Sequence, residues 1–287
     1  MLGRDLVPML EREGYALDCV DVDHLEITQE NQVHQTIDSC KPNLVINCAA
    51  YTGVDRAESD KDRAFAVNRD GAGFLAKACA KSGIPVIHIS TDYIFDGKNR
   101  RPYLEDDPVN PLNTYGCSKW EGEQAIRSCL EEHIIIRTSW LFGASGQNFV
   151  KTILRLAKER EEIQVVADQE GCPTWTGDLS HALTRLAGEI FTNKKCVPWG
   201  TYHFCGKGNT TWYDFANCII EEGKKRTPLR TTRVMPIRTS DYPSPAKRPT
   251  WSVLDCSKIK RIFGICQRLW REGLLKVLDT LLFENPT

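Results

Sequence analysis

Hydrophobic and polar positions along the chain follow two alternating patterns. Short runs of β-branched residues, typical of buried strands, alternate with longer stretches in which apolar residues recur every three or four positions, typical of helices. This alternation indicates βαβ units and a parallel sheet. The runs predict strands at Tyr15–Val22, Asn43–Cys48, Val86–Ser90, His133–Thr138, Gln164–Ala167 and Thr201–Phe204. The periodic stretches predict helices at Gly3–Glu13, Glu30–Lys41, Lys61–Ser82, Tyr115–Leu130, Asn148–Lys158, Asp178–Phe191 and Trp212–Lys224.

The alternation thins after about residue 145, and prolines become frequent from Pro173 onward. We therefore predict an α/β protein with two parts. Residues 1–145 should form a Rossmann-like, doubly wound dinucleotide-binding domain. Residues 146–287 should form a smaller, loop-rich substrate-binding lobe that returns to the sheet.

The beginning of the chain departs from this pattern. A dinucleotide-binding fold opens with an apolar strand and a glycine-rich loop that places the pyrophosphate at a helix N-terminus. Here the helix pattern starts directly, Gly3 resembles the last glycine of such a loop, and Asp21 stands where an acid would meet a ribose hydroxyl. We therefore expect a doubly wound sheet that lacks its first strand and Gly-rich loop, as in a shortened form of a longer chain. We also expect a gap or exposed strand edges between Tyr15–Val22 and Asn43–Cys48 on one side and Val86–Ser90 on the other, and weak cofactor binding.

Three side chains predict a site for carbonyl reduction. Thr91 follows an apolar run, at the strand end where open α/β sheets bind ligands. Tyr115 and Lys119 are four residues apart, so on a helix they share one face. A phenol titrates near 10, and a neighbouring cation lowers that pKa and favours proton exchange. The alternative for this pair alone is two surface residues on a helix.

Composition narrows the classes of function. The chain has 287 residues and a net charge of -1, which gives no electrostatic reason to expect nucleic acid or an anionic membrane as partner. It contains neither an apolar run of about 20 residues nor a secretory signal pattern. The 12 cysteines are scattered, so we expect most to be small core residues of a reduced, cytoplasmic protein. The acidic run Glu105-Asp106-Asp107 predicts a solvated loop, and we expect no metal site.

Several longer strings carry a family resemblance. They are Asn47-Cys-Ala-Ala-Tyr-Thr-Gly-Val-Asp-Arg-Ala-Glu58, Ser90-Thr-Asp-Tyr-Ile-Phe-Asp-Gly97, Asn113-Thr-Tyr-Gly-Cys-Ser-Lys119, Arg137-Thr-Ser-Trp140, Asn148-Phe149, Val166-Ala-Asp-Gln-Glu-Gly-Cys-Pro-Thr174 and Pro245-Ala-Lys-Arg-Pro249. Through them, nearly the whole chain resembles the dTDP-4-dehydrorhamnose reductases of the extended short-chain dehydrogenase/reductase superfamily. The Tyr/Lys pair marks the whole superfamily, whereas the last four strings are narrower.

The resemblance implies a reaction and a set of site residues. The reaction is reduction, by NADPH or NADH, of the 4-keto group of dTDP-6-deoxy-L-lyxo-4-hexulose to dTDP-L-rhamnose. Tyr115 would donate the proton, Lys119 would bind the nicotinamide ribose and lower the Tyr115 pKa, and Thr91 would orient the carbonyl. With Gly3 and Asp21, cofactor contacts would be Glu26, Ile27, Ala50, Tyr51, Thr52, Ile89, Tyr115 and Lys119. Substrate contacts would be Thr91, Asp92, Trp140, Asn148 and Arg248.

Chemistry supports two of these substrate contacts and leaves their alternatives open. The Trp140 indole could stack on a sugar or simply pack in the core. Arg248 could be a solvated charge, although a guanidinium suits a diphosphate because it binds in a bidentate manner.

Other functions remain open at this point. The chain could be a catalytically silent regulatory subunit resembling the methionine adenosyltransferase β subunit, which shares the Tyr/Lys region. It could also be another nucleotide-sugar-modifying enzyme, such as an epimerase or dehydratase. The choice between NADH and NADPH is open, and so is the oligomeric state, with a homodimer as one expectation.

Overall fold

The computed structural model describes residues 1–193 and 196–283. Residues 194–195 and 284–287 of the predicted 146–287 lobe therefore lie outside the described part. The α-helices are α1 Leu2–Arg12, α2 Glu30–Cys40, α3 Val54–Ala57, α4 Lys61–Phe65, α5 Ala72–Ser82, α6 Thr114–Cys129, α7 Phe149–Glu159, α8 Thr176–Thr192, α9 Trp212–Lys224, α10 Ser257–Phe263 and α11 Trp270–Leu282.

In the described part of the chain, the strands form one central sheet and three small ones. They are β1 Val45–Asn47, β2 Val86–Thr91, β3 His133–Thr138, β4 Leu141–Phe142, β5 Glu162–Val166, β6 Glu170–Gly171, β7 Thr174–Trp175, β8 Gly200–His203, β9 Thr210–Thr211 and β10 Arg233–Ile237. The central sheet has the order β1-β2-β3-β8 and is parallel throughout. Because parallel strands point the same way, their carboxyl ends all lie at one edge of the sheet.

Helices cover both faces of the central sheet, which confirms the doubly wound α/β prediction. On one face, α1 and α8 pack over Ile87 of β2 and over Ile134 and Ile136 of β3. On the other face, α2, α5 and α6 pack over Val86. Successive strand residues point to opposite faces, so β2 contributes to both cores. Because helices cover both faces of the sheet, the edge formed by the carboxyl ends of its strands is the part left open to ligands.

A separate apolar core joins α7, α9 and α11 with β4 and β5. Phe215 and Leu274 are fully buried in it. Its strand β5 pairs in parallel with β10, not with the central sheet. This core lies wholly within residues 140–282.

The predicted strand Tyr15–Val22 is wrong. These residues form no strand in the described structure, and Val20 and Val22 are exposed. A β-branched run becomes a strand only when a neighbour accepts its backbone hydrogen bonds. Within the described residues, β1 pairs with β2 alone and presents its other edge unpaired. The expected gap on the β2 side is likewise wrong, because Val45 pairs directly with Val86.

The other predicted elements are largely confirmed, with informative shifts. The helix predicted at Lys61–Ser82 contains a π-helical segment, Ala66–Gly71, between α4 and α5. The strand predicted at Gln164–Ala167 is β5, which belongs to the second core. The sequence analysis missed β10, α10 and α11, and of these only β10 contains a proline, Pro236, which weakens a strand pattern.

The cysteines are less buried than predicted. Four are buried, three are half-buried and five are exposed. The prediction that most are core residues is therefore wrong, and Cys48 at the end of β1 is among the exposed ones. Among the described residues, no helix is long and apolar enough to cross a bilayer.

Close packing between α6 and the π-helical segment predicts a sharp response to one substitution. A Cβ at Gly122 of α6 would overlap the Asn68 carbonyl oxygen, whereas a Cβ at Gly188 of α8 would make an ordinary contact with Tyr15. Gly122→Ala should therefore lower the free energy of unfolding by about 1–3 kcal/mol, as overpacking does. Gly188→Ala should stabilise the protein by up to about 1 kcal/mol, because alanine favours helix. Urea unfolding of both variants checks this, and equal stability of the two would contradict it.

Candidate active site

The first turn of α6 holds Tyr115 in a fixed place. Asn113 caps the helix by accepting a hydrogen bond from the Gly116 N–H at 2.8 Å. Glu58 accepts hydrogen bonds from the backbone N–H and the hydroxyl of Thr114, at 2.7 and 3.1 Å. A carboxylate at this position also favours the positive end of the helix dipole. These contacts anchor the helix beside the end of β2.

Tyr115 lies against the turn that follows β2. Its ring packs edge-on against Tyr93, with ring centroids 5.8 Å apart. Burial raises the pKa of Tyr115 to about 12, the nearby Asp92 charge acts in the same direction, and a hydrogen bond with the Thr91 hydroxyl opposes them. In this state Tyr115 is therefore a neutral phenol that holds a proton.

Lys119 lies one turn further along the same face of α6 and is 1% exposed. Its ammonium nitrogen donates to the Ile89 carbonyl oxygen at 2.6 Å and lies 3.1 Å from Nε2 of His88. Burial lowers the pKa of Lys119 to about 8, while Glu123 and Cys48 act to raise it. The predicted lowering of the Tyr115 pKa by Lys119 is not among the causes that act on Tyr115 here.

Thr91 and Asp92 close the site from the strand side. The Thr91 hydroxyl accepts a hydrogen bond from the Tyr93 N–H at 3.2 Å and donates to Oδ1 of Asp92 at 3.1 Å. Asp92 is 3% exposed, and its Oδ2 has no hydrogen-bond partner among the described residues. Burial raises the pKa of Asp92 to about 6, although the hydroxyls of Ser252 and Thr91 oppose this. An unpartnered buried oxygen is costly and is suited to a ligand hydroxyl.

Trp140 follows β3 and is held by other aromatic groups. Its φ is 46°, a left-handed backbone that is uncommon for a bulky residue. The indole stacks on Trp212, with centroids 3.4 Å apart and planes 4° apart. Its ring edge lies against Gly171, next to Ser252. Since Ser252 also neighbours Asp92, Trp140 lies on the same side of the fold as the catalytic candidates.

Arg248 reaches the site from the C-terminal lobe but is already paired. Its guanidinium binds Asp55 through two hydrogen bonds of 3.0 and 2.8 Å, and Tyr93 is also within its electrostatic reach. Asn148 caps α7 by accepting from the Lys151 N–H, and its amide donates to the Gly143 carbonyl oxygen at 2.8 Å. Arg248 and Asn148 therefore each have hydrogen-bond partners within this chain.

The remaining cofactor candidates lie on two segments. Gly3 is inside α1, where an added Cβ would meet open space, and Asp21 forms an exposed turn. Glu26 pairs with Arg63 at 2.7 Å, which lowers its pKa, and Ile27 is buried against Gly71.

The loop after β1 carries the other candidates. Asn68 fixes Tyr51 by accepting from its N–H and donating to its carbonyl oxygen, at 2.8 and 3.1 Å. Ala50 is half-buried and Thr52 is exposed, so both are open to a ligand at the sheet edge.

The sequence analysis missed a buried ion-pair network behind the site. Glu123 of α6 accepts hydrogen bonds from Arg137 at 2.8 Å, from Arg127 at 2.8 Å and from the Ser90 hydroxyl at 2.5 Å. The neighbouring cations lower the pKa of Glu123 despite its burial. The available signal was spacing, because Glu123 lies four residues beyond Lys119 on the same helix face.

The acidic run beyond β2 is only partly a solvated loop. Glu105 is 8% exposed, accepts a hydrogen bond from the His203 N–H at 2.9 Å, and burial raises its pKa. Asp107 pairs with Arg101 at 2.7 Å. The solvated-loop prediction is therefore wrong for Glu105. No cluster of His, Cys, Asp or Glu in the described part of the chain is arranged to hold a metal ion.

The parallel sheet and the Thr91, Tyr115 and Lys119 arrangement define a Rossmann-like protein of the short-chain dehydrogenase/reductase class. The family profile described as "RmlD substrate binding domain" matches residues 1–283, and the chain belongs to this family. It is 44% identical to a dTDP-4-dehydrorhamnose reductase of Aggregatibacter actinomycetemcomitans over 96% of this chain and 94% of that protein.

Solved structures agree with this assignment. A dTDP-4-dehydrorhamnose reductase of Clostridium acetobutylicum superposes with a TM-score of 0.89 at 38% identity, over 98% of this chain and 95% of that one. The Bacillus anthracis enzyme, solved in complex with NADP, gives 0.88 at 39% identity, over 96% and 94%.

The buried Asp92 carboxyl predicts a pH dependence of stability. Its pKa is about 6 in the folded protein and 3.8 ordinarily, so its contribution to stability is present below pH 4 and is lost as pH rises through 6. Between pH 4.5 and 7.5 this loss is about 2 kcal/mol, because a tenfold change in proton affinity is about 1.4 kcal/mol. Asp92→Asn should not show this loss of stability with rising pH.

Urea unfolding at the two pH values measures this difference. Asp62→Asn, which removes an exposed carboxylate, is the control and should follow the parent protein. Parallel pH dependence of Asp92→Asn and the parent would show that Asp92 is not the group responsible.

Proposed function

We propose that this chain reduces the 4-keto group of dTDP-6-deoxy-L-lyxo-4-hexulose to dTDP-L-rhamnose with NADPH or NADH. The observation that carries this proposal is the convergence of Thr91, Tyr115 and Lys119 at the carboxyl end of β2. The named relatives, which are dTDP-4-dehydrorhamnose reductases, support the substrate class. They give no support to a regulatory subunit or to another nucleotide-sugar reaction.

The surroundings of the three residues support the roles proposed for them. Tyr115 is a protonated phenol, so it can give its proton to the sugar C4 oxygen as that oxygen becomes an alkoxide. The Thr91 hydroxyl lies beside it and can hold the same oxygen. Lys119 is anchored to the Ile89 carbonyl, which places its nitrogen beneath the site. The buried surroundings exclude water from the transferred proton.

The residues at the sheet edge fit a nicotinamide cofactor. When bound, the cofactor supplies the hydride that adds to the sugar C4 atom. Ala49 and Thr52 after β1 are exposed at this edge, so the loop leaves room for a flat ring. The thiol of Cys48 is within electrostatic reach of both Met1, at the N-terminal end of α1, and Lys119. The N-terminal end of α1, which suits a phosphate, thus lies near the end of β1.

The sugar nucleotide would be held by the other side of the cleft. The unpartnered oxygen of Asp92 suits a sugar hydroxyl, and Trp140 offers an indole that Trp212 keeps in place. Arg248 would bind the diphosphate after exchanging Asp55 for it. We propose on this basis that residues 146–287 form the substrate lobe. The cytoplasmic location and the homodimer remain predictions.

Removing the proton donor tests the chemistry. Tyr115→Phe keeps the ring but loses the acidic hydroxyl, so kcat should fall about 10²–10⁴-fold, the usual contribution of general acid catalysis. Steady-state oxidation of NADPH in the presence of the dTDP-4-keto sugar measures this. Tyr242→Phe, at an exposed tyrosine, should retain the parent rate. Near-parental turnover by Tyr115→Phe would refute the assignment of Tyr115 as proton donor.

Trimming the indole tests substrate recognition. Trp140→Ala should weaken binding of the dTDP-sugar by about 1–3 kcal/mol, through lost contact with the sugar. Affinity for NADPH should stay within twofold. Titration calorimetry with each ligand alone separates the two effects, and equal losses for both ligands would identify Trp140 as a packing residue only.

A further inference from the structure

A chain of buried polar groups connects the end of β1 to the catalytic lysine. Nδ2 of Asn47 lies 3.1 Å from Nδ1 of His88, and Nε2 of the same ring lies 3.1 Å from Nζ of Lys119. Asn47 is 5% exposed, and His88 and Lys119 are each 1% exposed. Groups this deeply buried must satisfy one another's hydrogen bonds, so the identity of each donor and acceptor has consequences.

The directions of these hydrogen bonds are set at Asn47, the group farthest from Lys119. The Ala49 N–H donates to Oδ1 of Asn47 at 3.0 Å, so the amide NH₂ group must face His88. Nδ1 of His88 is then the acceptor. A neutral imidazole carries one proton, which must therefore be on Nε2. The ring is neutral because burial, with help from Lys119 and His133, lowers its pKa well below the ordinary value.

The Nε2–H group of His88 points at Lys119. An ammonium has only donors, so it cannot accept this hydrogen bond, whereas a neutral amine can accept it with its lone pair. The other partner of Nζ, the Ile89 carbonyl oxygen, accepts a hydrogen bond from either form of the lysine. The need for each hydrogen-bond donor to face an acceptor thus favours the uncharged amine of Lys119.

We propose that Asn47 and His88 form a hydrogen-bond relay of positioning residues that stabilises the uncharged amine of Lys119 relative to its ammonium form. Only the effect on turnover rests on the proposed function.

Other charged groups around the relay act on the same equilibrium. Glu123, on the same helix as Lys119, and Cys48, at the end of β1, both favour the charged lysine. His133 of β3 faces His88 and, like Lys119, favours a neutral ring. The Lys119 pKa of about 8, below its ordinary value, agrees with an ammonium form that its surroundings disfavour.

The tautomer of His88 can be read directly by NMR. In the full chain labelled with ¹⁵N-histidine, long-range ¹H–¹⁵N correlations should show His88 protonated at Nε2. In Asn47→Asp, one carboxylate oxygen accepts from the Ala49 N–H and the other from His88, so the proton should move to Nδ1. His133→Gln removes a buried histidine outside the relay and should leave the His88 tautomer unchanged.

The charge of Lys119 is measured in the same proteins. The ¹³Cε signal of Lys119, assigned by its loss in Lys119→Met, should titrate near pH 8 in the parent and distinctly higher in Asn47→Asp, because Nε2 becomes an acceptor. His88→Gln is a second variant, since its side-chain oxygen can turn toward the ammonium and should also raise the Lys119 pKa. The alkaline limb of kcat/KM should move upward with it.

Three results would overturn the proposal. They are an Nδ1–H tautomer in the parent, an unchanged tautomer in Asn47→Asp, and a reversed tautomer that leaves the Lys119 titration in place. The reductase assignment is tested separately. A parent protein with the Nε2–H tautomer but no reductase activity would refute the proposed function while supporting the relay.

Discussion

The buried pairing of Glu123 with Arg137 is the constraint on which the site depends. It joins α6 to β3, and the Ser90 hydroxyl extends it to β2. Burying two charges costs several kcal/mol each, and only close, multiple hydrogen bonds compensate for it. A small shift of α6 would leave one charge unpaired, so the helix has one acceptable position. That position brings Tyr115 and Lys119 to the carboxyl end of β2.

Burial also sets the chemistry of the site, because it acts against every charged form. It raises the pKa values of Tyr115 and Asp92 and lowers those of Lys119 and His88. Four groups whose charged forms are disfavoured by burial are thereby brought together at the end of β2. A ligand that forms a hydrogen bond with one of these groups can then shift its pKa.

The edge of the central sheet shows how pairing, not composition, makes a strand. Tyr15–Val22 has the β-branched pattern of a strand but no neighbour in the described residues that could complete its ladder. Asn43–Cys48 has the same pattern and becomes β1, because Val45 to Asn47 pair with β2. An apolar run is therefore a necessary signal for a buried strand and not a sufficient one.

The sequence by itself determined what depends on near neighbours. The bounds of β3 and α9 follow from local periodicity, and the shared face of Tyr115 and Lys119 follows from their spacing of four on a helix. The tertiary structure decided the pairing of β5 with β10, the stacking of Trp140 on Trp212 and the link from Asn47 to His88. The partners in these contacts are far apart in the chain. Their energies depend on which surfaces the packed core brings together and on which polar groups it removes from water.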